Sequence, residues 1–296
     1  MLNRRYFIAS NLTAGAAIGL SAPHEQSHNL SPLCVFAKPL QWLSFDALAD
    51  YLDEYDWDGI EATVRRGGQV EPEKIEELGR LVDSLDRKNK SVTLFASDIN
   101  SVEQPLTEKT LRKASQLGIR YYRMSYYRYN LDKPILPQLD HFARQAEQLA
   151  QLNETLGMTA LYQNHAGTKY VGAGLWDLQH ILADQSREHL AVAFDIRHAT
   201  VEATNSWPVH WSMLKEQVGA LYFKDFVWDG IKPKNVPLGT GLVSKNFYKE
   251  VQSESFASIP ISIHMEYVDH RKPELIDESK RSIASDRRAT KRLLQR

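Results

Sequence analysis

Two carboxylates, a lysine and two histidines in the C-terminal half have the types and placement to do chemistry: Asp195, Glu266, Lys224, His165 and His198. They lie in four segments, Tyr162-Gln163-Asn164-His165, Phe194-Asp195-Ile196-Arg197-His198, Tyr222-Phe223-Lys224-Asp225 and His264-Met265-Glu266-Tyr267. Each segment closes a short apolar run. In a parallel α/β protein the ends of such runs share one edge of the sheet, where ligands bind. Side chains two residues apart on a strand share a face. That pairs Gln163 with His165, Asp195 with Arg197, Tyr222 with Lys224, and His264 with Glu266. Asp195 and Glu266 facing one pocket can hold a divalent ion or act as general base and acid. Read without chemistry, each would pair with a nearby Arg or Lys and only hold the structure together. His165 and His198 can ligate, shuttle protons or bind hydroxyls. A buried ammonium at Lys224 is costly unless paired, so Asp195, Glu266 or an anionic substrate belongs beside it.

The N-terminal half adds Glu61 at the end of a run, followed by the loop Arg65-Arg66-Gly67-Gly68. Arg65 could clamp an oxygen-rich substrate, and Arg123 could reach the same pocket. Lys38 and Arg123 fall within candidate strands. Tyr121, Tyr122, Tyr126, Tyr127 and Tyr129 cluster around Arg123 and suit carbohydrate stacking, although most serve equally well as wall or core. Pro237-Leu238-Gly239-Thr240-Gly241 falls where barrels place an anion-binding loop, with a plain turn as the simpler reading.

These residues need elements to position them. Apolar runs at 35–40, 59–64, 91–96, 121–125, 159–163, 190–195, 220–224 and 260–266 alternate with helical patterns. Leu139, Phe142, Ala146, Leu149, Leu152 and Leu156 define one buried helical face. Ile75, Leu78, Val82 and Leu85 define another, opened by Pro72. Ser44 is a good N-cap, and Gly118 and Gly157 sit where helices should stop. Eight strands alternating with about eight helices predict an α/β fold of the (β/α)8 TIM-barrel type. An open doubly wound sheet would announce a Gly-rich first turn, and Gln41-Trp42-Leu43 contains none; no nucleotide cofactor is expected.

The 296 residues carry a formal charge of −1, with no basic excess to bind nucleic acid. The lone cysteine, Cys34, excludes an intrachain disulfide and a thiolate metal site. Residues 1–22 read as an export signal: Arg4-Arg5-Tyr6-Phe7, then a small-residue apolar stretch from Ala9 to Leu20, too short to span a bilayer. The paired arginines point to a twin-arginine signal and a periplasmic or otherwise exported protein, with no membrane contact after cleavage. Residues 23–34 read as a linker, 35–270 as the barrel, and 271–296 as a last helix with a charged tail.

In this order the motifs resemble the sugar phosphate isomerase/epimerase family with the xylose-isomerase-like TIM barrel. The resemblance spans roughly residues 35–269 and is closest to an exported bacterial branch with a twin-arginine signal. It is carried by Gly59-Ile60-Glu61, Thr63-Val64-Arg65, Tyr162-Gln163-Asn164-His165-Ala166-Gly167, Asp195-Ile196-Arg197-His198-Ala199, Phe223-Lys224-Asp225-Phe226, Pro237-Leu238-Gly239-Thr240-Gly241 and His264-Met265-Glu266-Tyr267. In metal-dependent members a Glu, an Asp, a His and a Glu from strands five to eight bind one divalent ion. The resemblance puts these ligands at Gln163, Asp195, Tyr222 and Glu266. An amide and a phenol in two of the four places should weaken binding of Mn²⁺, Mg²⁺, Co²⁺ or Zn²⁺. Either a weak ion remains on Asp195, Glu266 and Gln163, or Lys224 takes over its electrostatic role.

The resemblance implies proton abstraction next to the carbonyl of a small polyhydroxylated compound, leading to isomerisation, epimerisation, or hydration and dehydration of a keto-sugar. Glu266 is then the expected base and Asp195 a metal ligand or second acid/base group, with Lys224 as oxyanion partner. His165, His198, Arg123, Arg65, Glu61 and Gln163 are expected to bind substrate. Abasic-site endonuclease chemistry needs more His and carboxylate ligands than are present. The alternative is a noncatalytic periplasmic sugar-binding protein. Self-association is left open.

Overall fold

A computed structural model describes residues 31–295. The segment 1–22 and most of the expected linker lie outside the described residues. Eight parallel strands close into a barrel: β1 (Leu33–Phe36), β2 (Gly59–Val64), β3 (Ser91–Ser97), β4 (Tyr121–Arg123), β5 (Thr159–Gln163), β6 (Leu190–Asp195), β7 (Val218–Phe223) and β10 (Ile261–Ile263). Around it lie α1 (Phe45–Glu54), α2 (Glu77–Asp86), α3 (Thr107–Gln116), α4 (Ile135–Leu156), α5 (Trp176–Leu182), α6 (Ile196–Ala203), α7 (Trp207–Leu214), α8 (Lys245–Glu250) and α9 (Ile276–Leu293). No described helix is long and apolar enough to cross a membrane.

Local signals work as expected at several helix ends. The Ser44 hydroxyl accepts the Ala47 N–H at 3.2 Å and starts α1. Gly157 ends α4 in the left-handed region, at φ 66°, where a side chain would be strained. The first strand is shifted from its expected place. It begins at Leu33, which pairs with Ile261 in β10, so residues 33 and 34 belong to the barrel rather than to a linker. It ends at Phe36, because Pro39 cannot donate to a ladder, and Lys38–Leu40 form a 3-10 turn instead.

One element has no counterpart in the sequence reading. After β7 the chain forms an antiparallel hairpin, β8 (Asp225–Asp229) and β9 (Lys232–Val236), outside the barrel sheet. Asp229-Gly230 at its tip, with Gly230 at φ 59°, is the signal that could have found it.

Alternation sorts the strand residues into two cores. Outward side chains meet the helices; Phe194, Trp211 and Phe247, for example, pack with ring centroids 5.0 to 5.8 Å apart. Inward, Cys34, Leu94, Leu161, Ala191, Ala193, Ala220 and Tyr222 form a separate apolar plug. Burial pushes the Cys34 thiol well above its ordinary range, which suits a structural residue. On β5, β6 and β7 the next inward residues are polar, Gln163, Asp195 and Lys224, and they build the site.

Candidate active site

Glu61 is the anchor of the lower polar layer. It lies in the middle of β2 with no exposed surface. Ser262 donates to its Oε2 at 2.7 Å, and His264 Nε2 lies 2.8 Å from the same oxygen. On the other side the Tyr222 hydroxyl donates to Oε1 at 3.2 Å, and Arg123 Nε lies 3.1 Å away. The expectation that Glu61 binds substrate is therefore corrected. It sits a layer beneath the mouth, with both oxygens taken by protein groups. Ser262 and His264 were given no role from sequence, although alternation back from Glu266 puts them on its face.

Burial alone would raise the Glu61 pKa, but His264, Arg123 and the hydrogen bonds pull it down to about 2. A lowered carboxylate pKa means stabilisation present above the ordinary glutamate value of 4.5 and lost as pH falls towards about 2. In acid thermal melts, Glu61→Gln should start less stable than the parent at neutral pH and lose less across that window. An equal loss in both proteins would refute this assignment.

Arg123 links this layer to the one above. Its Nη1 donates to Gln163 Oε1 at 2.6 Å and to the Tyr126 hydroxyl at 3.0 Å. Gln163 Nε2 in turn donates to Asp195 Oδ2 at 2.7 Å. Lys224, just past the end of β7, sets its Nζ 3.0 Å from Asp195 Oδ2 and 3.1 Å from Glu266 Oε2. The result is one continuous path of charge and hydrogen bonds: Glu61, Arg123, Gln163, Asp195, Lys224, Glu266. Asn164, another residue given no role from sequence, pins the ends of β5 and β6 together. Its amide accepts from Asp195 N at 2.7 Å and donates to Asp195 O at 3.0 Å.

Burial works against charge on Lys224, yet Asp195 and Glu266 outweigh it and raise its pKa. Lys224 is a cation at neutral pH. Burial likewise pushes Glu266 up, but Lys224, with His264, holds its carboxyl far below the usual range. The Glu266 side chain keeps 30% exposure, whereas that of Asp195 has none, so Glu266 is the carboxylate a ligand can approach.

The two expected histidines stand side by side, with ring centroids 4.0 Å apart. Burial, then Lys224, lowers His165 to about 4 and takes His198 well below its ordinary value. Both are neutral at physiological pH. Buried His198 Nε2 has no hydrogen-bond partner and lies 3.7 Å from Asp195 Oδ2. Arg65 stands just past β2, partly buried.

Arg197 departs from the expected pairing with Asp195. Asp195 caps α6, its Oδ1 accepting the His198 N–H at 3.0 Å, so strand alternation stops there. Arg197 instead packs on Phe226 of the hairpin, 5.5 Å from the ring centroid. The Gly-Thr-Gly loop is also not open to an anion. Asp225 already occupies its amides, accepting from Gly239 (3.0 Å), Gly241 (2.9 Å) and Val243 (3.0 Å). A side chain at Gly241 would collide with that carboxylate.

A family model described as the xylose isomerase-like TIM barrel matches residues 49–286, most of the barrel. The chain belongs to that family. Solved structures with the same fold include L-ribulose 3-epimerase, with a TM-score of 0.66 and 12% identity, covering 90% of this chain and 95% of that one. A xylose isomerase domain protein from Planctomyces limnophilus matches with a TM-score of 0.65 and 15% identity, covering 90% and 100%. The probable 3-DHS dehydratase AsbF of Bacillus anthracis, involved in petrobactin synthesis, matches with a TM-score of 0.64 and 13% identity, covering 86% and 98%. At such identities these likenesses speak for the fold alone. No curated protein sequence matches the chain significantly.

Metal-dependent relatives would place an ion among Gln163, Asp195, Tyr222 and Glu266. The donors here do not suit one. Gln163 turns its amide nitrogen, not its oxygen, towards Asp195, because the oxygen is held by Arg123. Tyr222 turns its hydroxyl down to Glu61, and burial pushes its pKa further up. The Lys224 ammonium lies between the two remaining carboxylates. Among the described residues no group of three or more His, Cys, Asp or Glu is placed to hold a metal.

Proposed function

We propose that this chain is a sugar isomerase- or epimerase-type enzyme that removes a proton next to the carbonyl of a small polyhydroxylated substrate, with Lys224 at the oxyanion in place of a metal ion. One observation carries the reading: a buried ammonium held at 3.0 and 3.1 Å between two carboxylates at the mouth of the barrel. The epimerase and the probable dehydratase among the structures of like fold support the general class.

The substrate carbonyl oxygen takes a hydrogen bond from Lys224 Nζ, and the negative charge that forms on enolisation lies against a fixed cation. Glu266 removes the α-proton. In the resting site Lys224 keeps Glu266 a weak base. When the ammonium turns to the substrate oxygen, Glu266 loses that stabilisation and its proton affinity rises as the proton must be taken. Asp195, 3.0 Å from the ammonium, holds it in place. Neutral His165 and His198 offer ring nitrogens to substrate hydroxyls, as does the Tyr126 hydroxyl.

The test is solvent exchange. The purified protein is incubated with a panel of keto-sugars in D₂O, with and without a chelator, and deuterium at the α-carbon is followed by NMR. Exchange that persists under chelation is the expected result. Affinity without exchange across the panel would instead identify a sugar-binding protein. Exchange that stops on chelation and returns with Mn²⁺ would identify a metal enzyme.

We also propose that the protein is exported through the Arg4-Arg5 signal, on the strength of the paired arginines ahead of a short apolar stretch. Replacing both arginines with lysine should leave the precursor in the cytoplasm, folded. Fractionation and immunoblotting check this, and unchanged export would remove the twin-arginine route.

A further inference from the structure

The cations around the mouth are not all paired. Lys38, Arg65, Arg123, Arg197 and Lys224 surround three carboxylates inside it, Glu61, Asp195 and Glu266, while Asp98 and Glu202 act on Arg65 and Arg197 without forming an ion pair with them. All three carboxylates are already engaged, Glu61 by Arg123, and Asp195 and Glu266 by Lys224. Arg197 has its guanidinium against Phe226, with Nη1 3.0 Å from His198 Nδ1. That leaves Lys38 and Arg65. Among the described residues, the side chain of neither makes an ion pair or a hydrogen bond.

The barrel register brings these two together. Phe36 of β1 pairs with Glu61 of β2, and Ala37 N–H donates to Glu61 O at 2.9 Å. Lys38 and Arg65 follow at the C-terminal ends of those neighbouring strands, at the edge where the site opens. Both are partly buried. Each feels the repulsion of the other cations: Lys38 that of Arg65, Arg123 and Lys224, and Arg65 that of Arg123. The opposing charges that act on them, Glu266 on Lys38 and Asp98 then Glu61 on Arg65, do so from beyond ion-pair distance, and Asp98 accepts from the Arg66 N–H at 3.1 Å. Holding two like charges half-buried without a counter-ion is unfavourable. An arrangement of this kind suits a ligand that brings the missing negative charge.

We propose that the substrate is an anionic sugar, whose carboxylate or phosphate docks between Lys38 and Arg65 while its carbonyl meets Lys224. The inference rests on the reading that this pocket takes a sugar, and adds the substrate class. Arg65 supplies a planar fork that matches either anion, and Lys38 supplies a point charge.

The experiment measures equilibrium affinity, not turnover. D-Fructose, D-fructuronate and D-fructose 6-phosphate share a keto-sugar skeleton and differ at one end: hydroxyl, carboxylate or phosphate. Their binding, and that of inorganic phosphate, is measured by calorimetry at matched ionic strength. The proteins are the wild type, the double variant Lys38→Gln/Arg65→Gln, and the charge-conserving Arg65→Lys. Circular dichroism and thermal melts verify folding. The wild type should bind one of the two anionic sugars at least tenfold more tightly than fructose, and which one it prefers separates carboxylate from phosphate. That preference should fall below about threefold in the double variant and survive in Arg65→Lys. The proposal is overturned by fructose binding as tightly as both anionic sugars, by an anion preference that persists in the double variant, or by no binding of any of the four probes. A protein that exchanges the α-proton of neutral sugars but shows no anion preference sinks this inference alone. An anion-selective binder without exchange sinks the enzymatic reading and leaves this one standing.

Discussion

Lys224→Met should lower turnover by about 10²–10³-fold, the loss typical when one preorganised oxyanion partner is removed. Methionine nearly matches lysine in length, so the loss would come from the charge. Asp195 Oδ2 and Glu266 Oε2, each now about 3 Å from the ammonium, would face each other without compensation. Two carboxylates in one buried space cannot both stay ionised cheaply, so the pair should hold a proton into the neutral range. The variant should consequently melt higher at acidic than at neutral pH, because carboxyl groups with raised pKa values are stabilising while protonated and destabilising once ionised. Single-turnover kinetics and melts at several pH values give both readouts. Turnover unchanged in Lys224→Met would refute the role assigned to the ammonium. So would chelator sensitivity of the wild type.

The second large effect concerns the layer beneath. Glu61→Leu would leave the Arg123 guanidinium, only 7% exposed, without its counter-ion. Arg123→Met would leave fully buried Glu61 without its arginine, held by Tyr222, Ser262 and His264 alone. Breaking a buried pair from one side costs about 3–5 kcal/mol. For a barrel of this size that is roughly 6–20 °C in melting temperature. The double variant removes both charges, so its cost should fall short of the sum of the two single costs by about 0.5–3 kcal/mol. Urea unfolding of the four proteins closes the cycle. Strict additivity would mean that Glu61 and Arg123 are not energetically coupled. Arg123→Met should also impair catalysis at a distance, because Arg123 fixes the orientation of Gln163 and hence its hydrogen bond to Asp195.

The barrel was legible because its signals are local. A run such as Thr159–Gln163 or Leu190–Asp195 keeps its bounds in the structure, since strand alternation and the following polar turn are both written in adjacent residues. The same alternation brought Gln163, Asp195, Lys224 and Glu266 to one mouth. It failed at Arg197 for an equally local reason: Asp195 begins a helix, and period two gives way to 3.6 at the next residue. The hairpin 225–236 went unseen because its polar, proline-containing strands do not look like a buried sheet.

What the sequence determined by itself, then, is the alternation that turns Gln163, Asp195, Lys224 and Glu266 inward at the open end, though not the depth of Glu61. What only the tertiary structure decided is who pairs with whom. Glu61 lies 161 residues from Tyr222 and 203 from His264, and Lys224 lies 42 from Glu266. Such distances along the chain close only when the barrel does, through the pairing of β1 with β10. Closure made Glu61 a structural counter-ion rather than a substrate contact. It also set Lys224 between two carboxylates, and left Lys38 and Arg65 without an ion pair among the described residues. The reason is physical: periodicity is a property of neighbours, whereas charge pairing in a buried layer depends on register across every strand of the barrel at once.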